Sequence, residues 1–137
     1  MGKLAILVTS GKFETMNTAA LLASGAVAND NEVLMFFMND SVWALKKDIS
    51  ETNRSFNSTF THVNKQLEET DKSGKLQTWF NLLPDLKELG EIQIIACGLM
   101  TDIFGLKKED LVDFVDDIAG VAFFTDAAME YDRIISL

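Results

Sequence analysis

Ile92-Gln93-Ile94-Ile95-Ala96-Cys97 (IQIIAC), closed by Gly98, is the stretch that decides the fold. All but Gln93 are apolar. The run is too short for a helix and too continuous for a strand with one wet face, so it reads as a strand buried on both sides, as in a parallel sheet covered by helices. Three other runs read the same way: Lys3–Thr9 (KLAILVT), Glu32–Met38 (EVLMFFM) and Arg133–Leu137 (RIISL). A fifth, short strand fits near Asp117–Ala119.

Helical periodicity fills the gaps. Met16, Ala19, Ala20, Ala23 and Val27 share one helix face, with Thr15 as the expected N-cap and Asn29-Asp30-Asn31 as the stop. Leu76, Trp79, Phe80 and Leu83 form a second stripe. Pro84 interrupts it and predicts a kink or a fresh helix, and Gly90 ends it. Lys107–Val115 predicts a short helix that turns Leu111, Phe114 and Val115 inward. Val121, Phe124, Ala128 and Tyr131 mark the last helix. Strands alternating with helices imply right-handed crossovers and an α/β fold: a three-layer α/β/α sandwich around a mostly parallel sheet of about five strands, flavodoxin-like in outline. The 137 residues fit one domain, 1–137. Ile49–Lys75 breaks the rhythm. It is polar, rich in Ser, Thr and Asn, and reads as an excursion from the core, with His62–Thr70 as an exposed helix.

Composition excludes several functions. A net charge of −9 repels a phosphate backbone, so no nucleic-acid partner is expected. With one cysteine there is no internal disulfide and no C-x-x-C redox motif. No apolar run is long enough to span a membrane. Leu4–Val8 is too short for a signal-peptide core, and Ile6 stands where a myristoylation signal needs Ser or Thr. The expectation is a cytoplasmic protein with no membrane partner.

Ligands of open parallel sheets bind beyond the C-terminal strand ends. Three segments reach that edge: Thr9-Ser10-Gly11, Asn39-Asp40-Ser41 and Cys97-Gly98. If Leu99–Phe104 is helical, Cys97 stands at its N-terminus, where free N–H groups and the helix dipole favour a thiolate. The alternative is a buried apolar cysteine. Thr9-Ser10-Gly11-Lys12 resembles the phosphate loop of flavodoxins and, more faintly, the end of a P-loop, but Phe13 occupies the Mg²⁺-binding Ser/Thr position. A turn that caps the first helix is the favoured reading. His62 is a lone, solvated histidine, so no metal site is expected. Glu109, Asp110, Asp113, Asp116 and Asp117 read as a solvated acidic face. Trp43 and Trp79 read as core or subunit interface.

Ile94–Ala128, IIACGLMTDIFGLKKEDLVDFVDDIAGVAFFTDAA, resembles the corresponding segment of the DsrE/DsrF-like (DsrEFH) sulfur-relay family. The shared features are a strand ending in Ala-Cys, a short apolar helix with Gly, a KKEDL-like segment, then Gly and a closing helix. The resemblance implies a five-stranded, mostly parallel sheet, trimers or hexamers, and a cytoplasmic role in which the family cysteine carries sulfane sulfur as a persulfide. Cys97 is the one functional residue that carries over.

The expected function is therefore a sulfur carrier or sulfurtransferase with Cys97 as nucleophile. Ser10, Gly11, Asn39 and Gly98 are expected to line its pocket. No cofactor is needed, and the partner is a small sulfur-carrier protein or a low-molecular-weight sulfur donor. Two alternatives stay open. One is a flavodoxin-like module holding a small phosphorylated ligand or nucleotide at Thr9–Thr15. The other is a thiol redox sensor or peroxiredoxin-like protein acting through Cys97.

Overall fold

The computed structural model describes residues 1–56 and 59–137; Asn57 and Ser58, inside the polar excursion, lie outside the described residues. Five strands form one sheet: β1 (Lys3–Val8), β2 (Glu32–Phe37), β3 (Ile92–Cys97), β4 (Asp117–Ala119) and β5 (Arg133–Ser136). Their order is β4-β3-β2-β1-β5, and every pairing is parallel. The sandwich expected from the alternating pattern is thus present, with the short fifth strand where the sequence indicated it. Thr9, Met38 and Leu137 fall one residue beyond their strands, yet Met38 N–H still donates to the Val8 carbonyl and Leu137 N–H to that of Leu7.

The chain runs from β1 through β4 in one direction across the sheet and then returns to β5 on the far side. Right-handed crossovers therefore put the connection between β4 and β5 on the opposite face from those before it. Helix α1 (Phe13–Ala28) packs against α5 (Trp79–Leu89). Helix α7 (Val121–Ala128) covers the other face, with the Phe124 ring stacked on Phe36 at 5.0 Å. Phe36, Phe37, Leu34, Met35, Ile94 and Ile95 are sealed between the layers. Each such side chain stabilises the fold by roughly 1.5–3 kcal/mol through burial. β5 departs from the expectation of two-sided burial. It is an edge strand, and Ile134 is 55% exposed.

Three helix expectations are corrected. First, α1 starts at Phe13, with Lys12 rather than Thr15 at the cap position. Phe13 is buried at 1% exposure, and its burial draws the helix start back toward the strand. Second, no fresh helix starts at Pro84: α5 is one helix from Trp79 to Leu89. Its N-terminus is fixed by Thr78, whose hydroxyl accepts the Asn81 N–H. Third, Lys107–Val115 is not a helix. Only a 3₁₀ turn, Lys108–Asp110, forms. Leu111 bridges Lys46 in antiparallel fashion, Val112 N–H donates to the Leu45 carbonyl, and Asp116 N–H to that of Ile94. Leu111 and Val115 are buried as expected, but the segment is anchored by backbone partners distant in sequence rather than by helical bonds.

Four further helices follow β2 and β3: α2 (Asp40–Ala44), α3 (Lys47–Thr52), α4 (Thr61–Lys72) and α6 (Gly98–Phe104). The expected exposed helix of the excursion is α4, which buries no residue. Arg54 and Asp71 form a bidentate pair at 2.8 and 2.5 Å. Asn64 exchanges two hydrogen bonds with the Phe56 backbone. The Phe56 ring meets Phe13 at 5.9 Å. These contacts tie the polar segment to the start of α1.

Candidate functional site at the C-terminal edge of the sheet

β3 ends at Cys97, and α6 begins at the next residue, so Cys97 occupies the N-cap position of a seven-residue helix. The helix forms there because Gly98–Phe104 lacks breakers until Gly105, which terminates it in the left-handed conformation at φ 66°. Cys97 pairs with Ala119 of β4. Ile95 lies beside Phe36, and Cys97, two residues on, points to the same face, the one that α7 covers. The thiol is only 2% exposed. The strand-end position matches the sequence expectation. The pocket expected around it is not open to solvent at Cys97, which is buried.

The surrounding loops are built by close contacts. A Cβ on Gly11 would stand 2.5 Å from the Asp40 carbonyl oxygen, so only glycine fits. Gly11 N–H donates to the Asp40 carboxylate at 2.8 Å, Lys12 N–H to Ser10 Oγ at 3.3 Å, and Asn53 Nδ2 to the Gly11 carbonyl at 2.8 Å. Ser41, fully buried, directs its hydroxyl at the Val8 and Met38 carbonyls, 2.8 and 2.7 Å away, joining the ends of β1 and β2. Asn39 adopts φ 57°, ψ −143°, a conformation suited to glycine, and makes no side-chain cap bond.

The residues named from sequence divide accordingly. Gly11 lines a cavity of about 240 Å³ with Asp40, Trp43, Ala44, Ile49 and Asn53. Ser10, Asn39, Cys97 and Gly98 do not line it. Ser10 is turned onto its own loop, Asn39 is exposed, and Gly98 adjoins Cys97. A Cβ at Gly98 would make only ordinary contact, 3.5 Å, with Ile118. Asp40 and Asn53 hold the loop, and sequence reading did not assign them that role. Asp40 could have been suspected as an acid opening a helix. Asn53 gives no local signal. The Asp40 carboxylate occupies the Gly11 amide that a phosphate would use, so an anion here would first have to displace it.

His62 is exposed on α4. Among the described residues, no group of three or more His, Cys, Asp or Glu could hold a metal ion. None of the described helices is long and apolar enough to cross a membrane.

A sequence model described as the DsrE/DsrF-like family matches residues 2–137. No curated protein matches the chain. Among solved structures, the chain is similar to the ychN protein from E. coli, with a TM-score of 0.61, 17% identity and 100% of both chains covered. It is also similar to MTH1491, a protein of unknown function from Methanobacterium thermoautotrophicum, with a TM-score of 0.54, 14% identity and again 100% of both chains. At these identities the likeness shows the shared fold.

Proposed function

The chain belongs to the DsrE/DsrF-like family, and from that membership we propose that it is a sulfur-relay protein carrying sulfane sulfur on Cys97. The observation that supports this most is where Cys97 stands: at the C-terminal end of β3, immediately before α6, at the sheet edge where open α/β folds bind ligands. The Cys97 thiolate attacks the outer sulfur of a persulfide or polysulfide donor. The donor's S–S bond breaks and the donor leaves as a thiolate. An acceptor thiolate then attacks the outer sulfur of the Cys97 persulfide and releases Cys97 as thiolate. Sulfur moves without net oxidation and without a cofactor. No second cysteine is present in the chain to collapse the persulfide into an internal disulfide. A single free thiol suits a reducing compartment, and cytoplasmic location and assembly into a homo-oligomer, a trimer or hexamer, belong to the same reading. The donor or acceptor is a small sulfur-carrier protein or a low-molecular-weight thiol compound.

The 2% exposure of Cys97 favours one rival, an inert core cysteine. Alkylation kinetics separate the two. The sulfur-relay reading requires that iodoacetamide reach Cys97 in the folded protein, through opening of the edge around Met38 and Ala119, and that prior exposure to a polysulfide change the adduct. Alkylation seen only after denaturation would make Cys97 a core residue. The phosphorylated-ligand alternative is disfavoured by the engagement of Gly11 N–H with Asp40.

A further inference from the structure

Away from the Cys97 edge, the outer side of α5 faces α3 and the 112–114 segment across a groove of about 630 Å³. Its apolar lining is Phe80, Pro84, Val112 and Phe114. The Phe80 and Phe114 rings meet edge to face at 6.2 Å, backed by Trp79 at 6.0 and 6.1 Å. Trp79 is buried at 1% exposure, so this wall is rigid. Pro84 has no N–H to offer the Phe80 carbonyl four residues earlier.

The rim is charged, and its two signs are not equivalent. The cations are already engaged: Lys47 pairs with Asp113 at 3.3 Å and Lys87 with Asp116 at 2.5 Å. Glu51 on α3 and Glu88 on α5 also line the groove. Neither has an ion-pair partner among the described residues. Two carboxylates without an ion-pair partner and aromatic rings favour a cation that has an apolar part. An anion would meet only neutralised lysines. Lys47, Glu51, Glu88 and Asp113 are exposed, so one side of the groove is open. A small molecule would remain half in solvent there, whereas an extended or helical segment can lie along it.

We propose that this groove is a docking site for a segment of a partner protein that presents a lysine or arginine beside an apolar side chain. The basic head pairs with Glu51 and Glu88, and the apolar side chain rests on Phe80, Val112 and Phe114. The site is independent of the chemistry at Cys97.

The test is a titration of the full-length, isotopically labelled chain, followed by amide chemical shifts. The probes are a designed peptide of alternating lysine and leucine, its glutamate–leucine counterpart, and phenethylammonium as a free small cation. The proposal expects the basic peptide to shift resonances of α5, α3 and residues 112–114 together. The Glu51→Gln/Glu88→Gln double variant should bind it about fivefold more weakly, as expected for the loss of two exposed ion pairs. Glu69→Gln/Asp126→Asn removes the same charge elsewhere and should leave affinity unchanged. Equal binding of the acidic peptide, shifts scattered over the surface, or equal weakening by both double variants would overturn the proposal. Phenethylammonium binding as tightly as the peptide would overturn the choice of a protein segment.

Discussion

Asn39 holds φ 57°, ψ −143° at the sheet edge with no cap bond from its side chain, a strain of about 1–3 kcal/mol for a residue other than glycine. Asn39→Gly should therefore raise the unfolding free energy by about 1 kcal/mol, after the added freedom of the unfolded chain is subtracted, and with it the denaturant midpoint. A lower midpoint would show that the side chain makes a contact worth more than the strain. Two glycines at the same edge should part company. Gly11→Ala drives a Cβ to 2.5 Å from the Asp40 carbonyl oxygen and should destabilise by about 1–3 kcal/mol. Gly98→Ala meets only ordinary contacts and should leave thermal stability unchanged or raised; a clear fall would contradict this steric reading. Tyr131, the one tyrosine, gives a direct pH readout. Burial first, then the charge of Glu32 and their 3.2 Å hydrogen bond, push its phenol up to about 12. The neutral form is favoured in the fold, so the associated stability is present below pH 10 and is lost as pH rises from there through about 12. An absorbance titration at the phenolate band should show ionisation near the upper value in the folded protein and near the ordinary value once unfolded. Cys97 illustrates what a sequence can carry at this scale. An apolar run ending in Cys-Gly locates the sulfur along the chain, whereas its burial depends on packing that forms only in the fold, including the pairing with Ala119 of β4.

α4 is held by few contacts, and its attachment is testable. It buries no residue, and the Arg54–Asp71 pair is its main ionic tie. The Arg54 hydrogen bond holds the Asp71 carboxyl below its ordinary value of 3.8. The sign follows: the contribution of the pair is present above pH 3.8 and is lost only as pH falls through the lower folded-state value of Asp71. Amide exchange of α4, referenced to α1, should be slow down to and somewhat below pH 3.8, then accelerate. Arg54→Gln should exchange faster than wild type above that step, converge with it below, and show no acid step of its own. Identical profiles would mean that the Phe56 and Asn64 contacts alone hold the helix. α4 was legible because its polarity and length suit an exposed helix. Lys107–Val115 was not. Leu111 and Val115 repeat at helical spacing and are buried, but the backbone of this segment bonds to Leu45 and Ile94, and no local pattern reports partners so distant. The start of α1 was misread for a related reason: the burial of Phe13 outweighed the capping preference of Thr15.

At the scale of the whole molecule, the layers and the parallel sense of the sheet followed from continuous apolar strands separated by helical stripes, because covering both faces of a sheet demands that composition, whereas the strand order came only with the structure. The edge was less legible, since RIISL reads as buried although Ile134 is half in solvent. Leu99 and Ile103 on α6 are 66% and 64% exposed, and Val121 and Phe123 on α7 are 52% and 38% exposed. Apolar surface of this kind is what subunit association would cover. Light scattering at micromolar concentration should return a trimer or hexamer, and Leu99→Asp/Ile103→Asp should lower the mass. A monomer at all concentrations would remove the oligomer from the account. The central claim, that Cys97 carries sulfane sulfur, is tested most directly by the intact mass of the folded protein after incubation with polysulfide and removal of excess donor. The account predicts a gain of one or more sulfur atoms, reversed by dithiothreitol and absent in Cys97→Ser, which should retain the wild-type circular dichroism. A wild-type mass that never changes, with a thiol that reacts only after denaturation, would contradict it.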